Sequence, residues 1–266
     1  MSKLKLDDFE EQIKPTKNMP KVPEVSEIPN GYFQIESLPS KFKLYPDDTK
    51  IFSRPLKILE VKQLSMINEE NFNEIINSVL SKTIIGIKVD DLIVADKLFI
   101  IFWQRANTYK GDSFAIDFKC SECGANSKYN FDIAALNIRD ISDTYDPNTI
   151  VELPESKIKL TFGQMTVRTE KEADAFLKRK KTADDDMVAI ASIITSIDNA
   201  QSYIASTYDW LIELGVADIM YLTNAYHKVE IGLDPILNVT CGECGGSAET
   251  PISFRADFFL PEYRTE

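Results

Sequence analysis

Two short stretches of this chain nearly repeat one another. Residues 118–126 read FKCSECGAN and residues 239–247 read VTCGECGGS, and together they hold all 4 cysteines of the 266-residue chain. Paired thiols at this spacing in a reducing compartment are metal ligands or redox centres. A redox pair opens a helix, whose N-terminus lowers the thiol pKa. Here Phe114, Ile116 and Phe118 alternate before Cys120, and Tyr129 and Phe131 alternate after Gly124, which reads as strand, knuckle, strand. The second copy has ILNV before Cys241 and AETPISF after Gly245 and Gly246. The glycine behind each second cysteine supplies the positive φ of a tight knuckle. Two facing knuckles present four thiolates as a tetrahedron, the closed form of a structural zinc site. Four unrelated buried thiols are the bland alternative. The shared spacing, Glu and Gly favour one structural Zn2+ on Cys120, Cys123, Cys241 and Cys244.

The distance between the knuckles decides the fold class. An ordinary ribbon separates its halves by roughly 15–20 residues, and this gap is several times longer. The expected fold is therefore α+β: a zinc-ribbon-like, four-cysteine β-module in two halves, 113–132 and 235–260, with a large helical insertion and an extended N-terminal arm. Residues 153–232 fill the gap as a hairpin and helices. Within them LPESKIKLTFGQMTVR at 153–168 suggests a hairpin turned at Gly163 and Gln164, with Ile158, Leu160 and Phe162 on one face. The following stretch to Val229 reads as three or four helices, broken near Thr182, Asp198 and Gly215.

Ahead of the first knuckle, residues 37–112 read as a small β plus helical region. Short strands flank a YPDDT turn, and a helix begins near Glu60. A second helix spans 68–84 with Phe72, Ile75, Ile76, Val79 and Leu80 on one face, and a third follows Asp90 or Asp91 as its cap. Residues 1–36 carry Pro15, Pro20, Pro23 and Pro29 and little apolar periodicity, so they read as an extended arm. Such an arm is either a tail or a strap laid on a partner, with Tyr32, Phe33 and Ile35 as anchors at its end.

Several function classes lack the residues they need. The chain has 10 glycines and no glycine-rich phosphate loop, and its 1 histidine, His227, reads as a helix-surface residue in NAYHKV, so neither a Ser–His–Asp triad nor a multi-histidine metal site is expected. We expect no enzyme activity and no small-molecule substrate. The formal net charge of −12 disfavours a phosphate backbone, where Lys and Arg must displace counterions. The one basic cluster, Lys178 to Lys181, is followed by Asp184 to Asp186 and reads as a solvated helix end or a docking patch. No apolar run reaches membrane-spanning length, and MSKLKLDDFEEQ has no signal-peptide core, so the expectation is a chain kept in a cytoplasm.

Three stretches in order resemble a known family. SLPSKFKLYPDDTKIFSRPLKILEVKQLS at 37–65 is similar to an opening motif of baseplate proteins from contractile-tailed, T-even-like bacteriophages. VDDLIVADKLFIIFWQRANTYKGDSFAIDFKCSECG resembles the family's helix, Arg, Tyr turn and first knuckle, with Arg105 and Tyr109 matching. LNVTCGECGGSAETPISFRADFFLPE resembles its closing half, which ends on the Phe258–Phe259 pair. The resemblance implies a noncatalytic component or assembly factor of the central baseplate hub, found in the virion tail or in host cytoplasm during assembly. It implies other hub or tail proteins as partners, with self-association open, and Phe258 and Phe259 beside Tyr32, Phe33 and Ile35 as contact residues. The rival reading is an acidic zinc-ribbon adaptor on a nucleic-acid or transcription complex, which requires a basic ribbon face. The charges around the knuckles are instead mixed: Asp117, Lys119, Glu122, Lys128 and Glu243.

Overall fold

The apolar periodicities settle into a mixed α+β architecture with three separate cores. A computed structural model describes residues 28–260, apart from 69, 110–113, 132–135, 147, 235 and 253–255. Most of the expected arm, residues 1–27, lies outside the described residues. The chain divides into two compact units after Asn30.

The first core is built by β1 (Phe33–Gln34), β2 (Phe52–Ser53), α1 (Ile58–Leu64), α2 (Phe72–Thr83), β3 (Ile84–Ile85) and α3 (Val94–Thr108). The three strands pair antiparallel in the order β1-β2-β3. Ile76, Val79 and Leu80 of α2 are fully buried, the i, i+3, i+4 stripe of an amphipathic helix. α3 is different, because it buries polar residues as well as Ile100 and Ile101. Asp96 accepts from the Ser40 amide at 3.0 Å and the Tyr45 hydroxyl at 2.5 Å, and Gln104 donates to Ser53 and Thr83, each at 2.8 Å. These bonds satisfy both Asp96 oxygens and the Gln104 Nε2, whose burial is otherwise costly.

Asp90 and Asp91 do not cap α3. They form a 3-10 turn, Val89–Asp91, and α3 begins three residues after it, with Ile93 as its N-cap. The backbone there is held by another segment: Val94 donates to the Met165 carbonyl and Val167 to the Leu92 carbonyl, both at 2.8 Å. The two aspartates instead reach across to Lys171 and Arg168.

The second core is the insertion. It contains β7 (Ile150–Glu152), β8 (Lys159–Phe162), α4 (Val167–Arg179), α5 (Asp185–Ile193), β9 (Ile194–Ile197), β10 (Ala200–Gln201), α6 (Ile204–Leu211) and α7 (Val216–Val229). Two expectations are corrected here. The hairpin turns at Pro154–Ser156, not at Gly163, because β8 pairs backwards with β7 and the Leu153 amide donates to the Ile158 carbonyl at 2.9 Å. Nor is the remainder purely helical: β9 and β10 form a hairpin whose Asp198 and Asn199 take φ of 46° and 66°. Two positive φ values are what a two-residue turn demands. The strand order is β10-β9-β8-β7, and α4 to α7 cover that sheet with Phe176, Val188, Tyr208, Leu211 and Leu222.

The third core lies under the knuckles. β4 (Phe114–Lys119) pairs with β5 (Asn126–Phe131), and β12 (Ile236–Thr240) pairs with β13 (Ser247–Pro251). β6 (Ile138–Arg139) pairs with β11 (Gly232–Leu233), and α8 (Ala256–Phe259) closes the described chain. Phe102 of α3 joins Phe118, Phe131, Leu237 and Val239 in this core, while Phe259 enters the first one. The insertion is tied to α3 by an ion pair inside the protein. Lys97 is wholly buried, with its Nζ 2.6 Å from both Glu170 oxygens. Burial drives the Lys97 pKa down and the Glu170 carboxylate opposes that shift.

Candidate metal centre

Each knuckle is fixed by the same two backbone bonds. Cys120 donates to the Ala125 carbonyl at 2.9 Å and Gly124 to the Cys120 carbonyl at 3.0 Å. In the second knuckle Cys241 donates to Gly246 and Gly245 to Cys241, both at 2.9 Å. Gly124 and Gly245 take φ of 73° and 72°. A β-carbon on either would meet nothing within 4 Å, so dihedral freedom, not space, is what glycine provides there.

The two hairpins bring the four cysteines together, with all four sulfurs within 4.8 Å of one another. Cys120 and Cys241 are buried, and Cys123 and Cys244 are exposed. The Sγ distances are 3.8 Å for Cys120–Cys244 and 3.8 Å for Cys123–Cys241. An ion bonded to four thiolates at about 2.3 Å sets them about 3.8 Å apart along the edges of a tetrahedron. The sulfur set therefore fits a closed four-thiolate metal site. It is also the one group of three or more His, Cys, Asp or Glu side chains close enough to share an ion among the described residues.

Neighbours tune the sulfurs unequally. The Ser127 hydroxyl, 3.3 Å from Cys241 Sγ, and then the Cys244 and Glu243 amides lower the Cys241 thiol to about 6. At Cys244 the Gly246 amide pulls the other way, yet the nearby Cys123 thiol, burial and the remaining sulfurs push the thiol up to about 12. One thiolate is thus favoured by the protein alone, while Cys123 and Cys244 resist ionisation until a cation offsets their charge. Ser127 was not among the residues expected from sequence, since it comes from β5 of the opposite hairpin. The Glu122 carboxylate of the first knuckle lies against Gly246 of the second, where a side chain would collide with it.

The other expected contact residues divide. Tyr32 is half-buried, with its hydroxyl 3.3 Å from the Lys82 carbonyl, and Phe33 is 56% exposed at the edge strand β1, its ring 6.4 Å from that of Trp103. Ile35 is 2% exposed and Phe259 is fully buried, and Phe258 packs edge-on to Phe102 at 5.1 Å. Ile35 and Phe259 therefore pack inside the first core, while Phe258 is half-buried between the first and third. His227 is solvent-facing, 3.4 Å from Glu230.

The model of the T4 bacteriophage base plate protein family matches residues 35–260. The chain belongs to that family. No curated protein and no solved structure gives a match. The matched range opens at Ile35, closes just beyond Phe259, and includes all four cysteines and the insertion. Membership makes the chain a structural protein of the phage tail baseplate, in contact with other baseplate or tail proteins. Among the described residues no helix is long and apolar enough to cross a membrane.

Proposed function

We propose that this baseplate protein is a noncatalytic component or assembly factor of the central hub, held together by one structural Zn2+ on Cys120, Cys123, Cys241 and Cys244. The observation that carries the metal is the sulfur cluster, whose 3.8 Å spacings match a tetrahedron with no open position. Paired β-hairpins with a knuckle at each tip support a zinc-ribbon-like reading of the module. In that reading the ion closes a loop running from Cys120 to Cys244, which contains the whole insertion, and so links the middle of the chain to its end.

The hub assignment is supported by the order of the three motifs at 37–65, 89–124 and 237–262. A binding role is supported by large apolar side chains left at the surface. Ile58 and Leu59 of α1 and Val216 and Met220 of α7, one turn apart, are each at least 62% exposed. Exposed apolar groups of this kind mark protein contact sites. The noncatalytic reading is supported by the closed donor set and by the solvent-facing position of His227.

Elemental analysis of the full-length protein, purified without chelators, tests the metal. One zinc per chain is expected; less than about 0.2 equivalents of any metal defeats the site, and iron in its place replaces zinc by iron. Co-purification with individually expressed hub proteins of the same phage tests the hub. Association with outer baseplate or tail-tube proteins alone overturns that part and leaves the metal untouched.

A further inference from the structure

Polar side chains from three helices meet at one point: Asn73 of α2, Lys97 of α3, and Glu170 and Asp174 of α4. Lys97 Nζ lies 2.6 Å from both Glu170 oxygens and also donates to Asn73 Oδ1 at 3.2 Å. Asn73 Nδ2 donates in turn to Asp174 Oδ2 at 3.1 Å. These neighbours fix which way the carboxamide faces, because a carboxylate only accepts and an ammonium only donates. Lys97 is wholly buried, Glu170 is 8% exposed, and Asn73 and Asp174 are half-buried.

A buried ion pair needs no carboxamide beside it, and an apolar pair of the same volume often serves the fold as well. The arrangement offers more than an ion pair. It sets an amine against an amide carbonyl, with a carboxylate in hydrogen-bond reach of the amine and little water near. Burial drives the Lys97 pKa down, the Glu170 and Asp174 carboxylates oppose that shift, and the Lys171 charge adds to it. A lysine kept from water in this way is an activated nucleophile.

We propose that Lys97 and Asn73 join in an intramolecular isopeptide bond, with Glu170 carrying the protons. The ion pair described above is the unreacted state. The Lys97 ammonium first gives a proton to Glu170, leaving a neutral amine and a neutral acid, which a dry site tolerates better than two charges. The Nζ lone pair attacks Asn73 Cγ, which is one carbonyl bond of about 1.2 Å from the oxygen that the amine now touches. As the Nζ–Cγ bond forms, the carbonyl π pair moves onto Oδ1. Glu170 takes the surplus proton from Nζ and gives its own to Nδ2. The Oδ1 pair then restores the carbonyl, the Cγ–Nδ2 bond breaks, and ammonia leaves with the proton still held by Glu170, as ammonium. Nothing is oxidised or reduced. The product is a secondary amide that ties α2 to α3, a cross-link that limits the freedom of the unfolded chain as a disulfide does. The inference rests neither on the metal nor on the hub assignment.

Mass spectrometry of the full-length protein tests the bond. The denatured wild-type chain should be lighter than its sequence by one ammonia. Trypsin should leave Lys97 uncut and release one branched peptide that joins residues 63–82 to residues 89–105. That peptide separates this bond from ammonia lost elsewhere in the chain. Asn73→Ala keeps the ion pair but offers no amide carbon, so it should carry its full sequence mass and be cut at Lys97. Glu170→Gln, compared as a chain whose circular dichroism matches wild type, should also stay unlinked. A wild-type chain of full sequence mass that trypsin cuts at Lys97 overturns the proposal. Linkage of Lys97 to Glu170 or Asp174, with loss of water in place of ammonia, overturns it too, and a linked Glu170→Gln chain overturns the role given to Glu170.

Discussion

Arg105 donates from Nε to the carbonyl oxygen of Phe258 at 2.9 Å, joining α3 to the closing segment across 153 residues of sequence. The guanidinium also lies 4.2 Å over the Tyr109 ring, and the Phe258 ring is edge-on to Phe259 at 4.9 Å. Phe259 sits in the first core and Phe258 against the third, so this contact holds two cores together. A buried hydrogen bond from a charged group contributes about 1.5–3 kcal/mol. Arg105→Leu should lower stability by about that amount and speed amide exchange at Phe258 and Phe259 above all. Arg105→Lys should recover little, since an ammonium lacks the directed fork of a guanidinium. Unchanged exchange at those two residues would show that the rings alone anchor the segment.

Legibility in the sequence followed the range of each interaction. The cysteine pairs were readable because their spacing, their glycines and the strand alternation around them are all local. Ser127 was not, because it meets Cys241 only after two hairpins 114 residues apart come together. The β9–β10 hairpin was hidden since Ile193, Ile194 and Thr195 extend the apolar run of α5 without a break. The first insertion hairpin offered two turn signals, Pro154 and Gly163, and only the choice of backbone partner decides between them. α3 hid its partners: Asp96, Lys97, Gln104 and Arg105 are each buried among groups supplied by distant segments, which no local pattern identifies.

The buried pair of Lys97 and Glu170 makes an asymmetric prediction. Removing one partner strands a charge in the interior, which costs about 3–5 kcal/mol, whereas replacing both with apolar groups is often neutral. Lys97→Met should destabilise by that order in urea unfolding, and Lys97→Met with Glu170→Leu should recover most of the loss. A double variant no better than the single one would mean that the Asn73 side-chain Oδ1, 3.2 Å from Nζ, and the surrounding packing carry the site.

Glu60 makes stability depend on pH at the start of α1. Burial pushes its carboxyl up, but hydrogen bonds from Arg54, at 3.0 and 3.4 Å, and from the Lys57 amide, at 2.7 Å, hold it below its ordinary value. A depressed carboxylate contributes stability that is fully present above its unfolded pKa of about 4.3 and is lost as pH falls through the folded value. The stability gap between wild type and Glu60→Gln should therefore be widest at neutral pH and close below about pH 4. A gap that stays constant from pH 7 to pH 3 would assign the effect to shape, not to charge.

The Ser127–Cys241 contact separates a metal site from a cluster of free thiols. A hydroxyl 3.3 Å from Cys241 Sγ stabilises the thiolate form, which is the form that binds a metal. Groups that support a ligand in this way typically change metal affinity by about 10–100-fold. Ser127→Ala should keep a full complement of zinc after purification but surrender it to a chromogenic chelator about 10–100-fold more readily than wild type. Cys241→Ser removes the ligand itself, so it should bind less than one zinc per chain, melt well below wild type and open the loop around the insertion to protease. Gly245→Ala should fall between the two, because it strains a knuckle at φ 72° without touching a sulfur. Stripping zinc from wild type with chelator should reproduce the protease pattern of Cys241→Ser, and adding zinc back should reverse it in wild type alone. If chelator leaves the wild-type melting curve unchanged, the four cysteines hold no structural metal. The Ser127→Ala and Gly245→Ala variants should then behave alike with and without added metal.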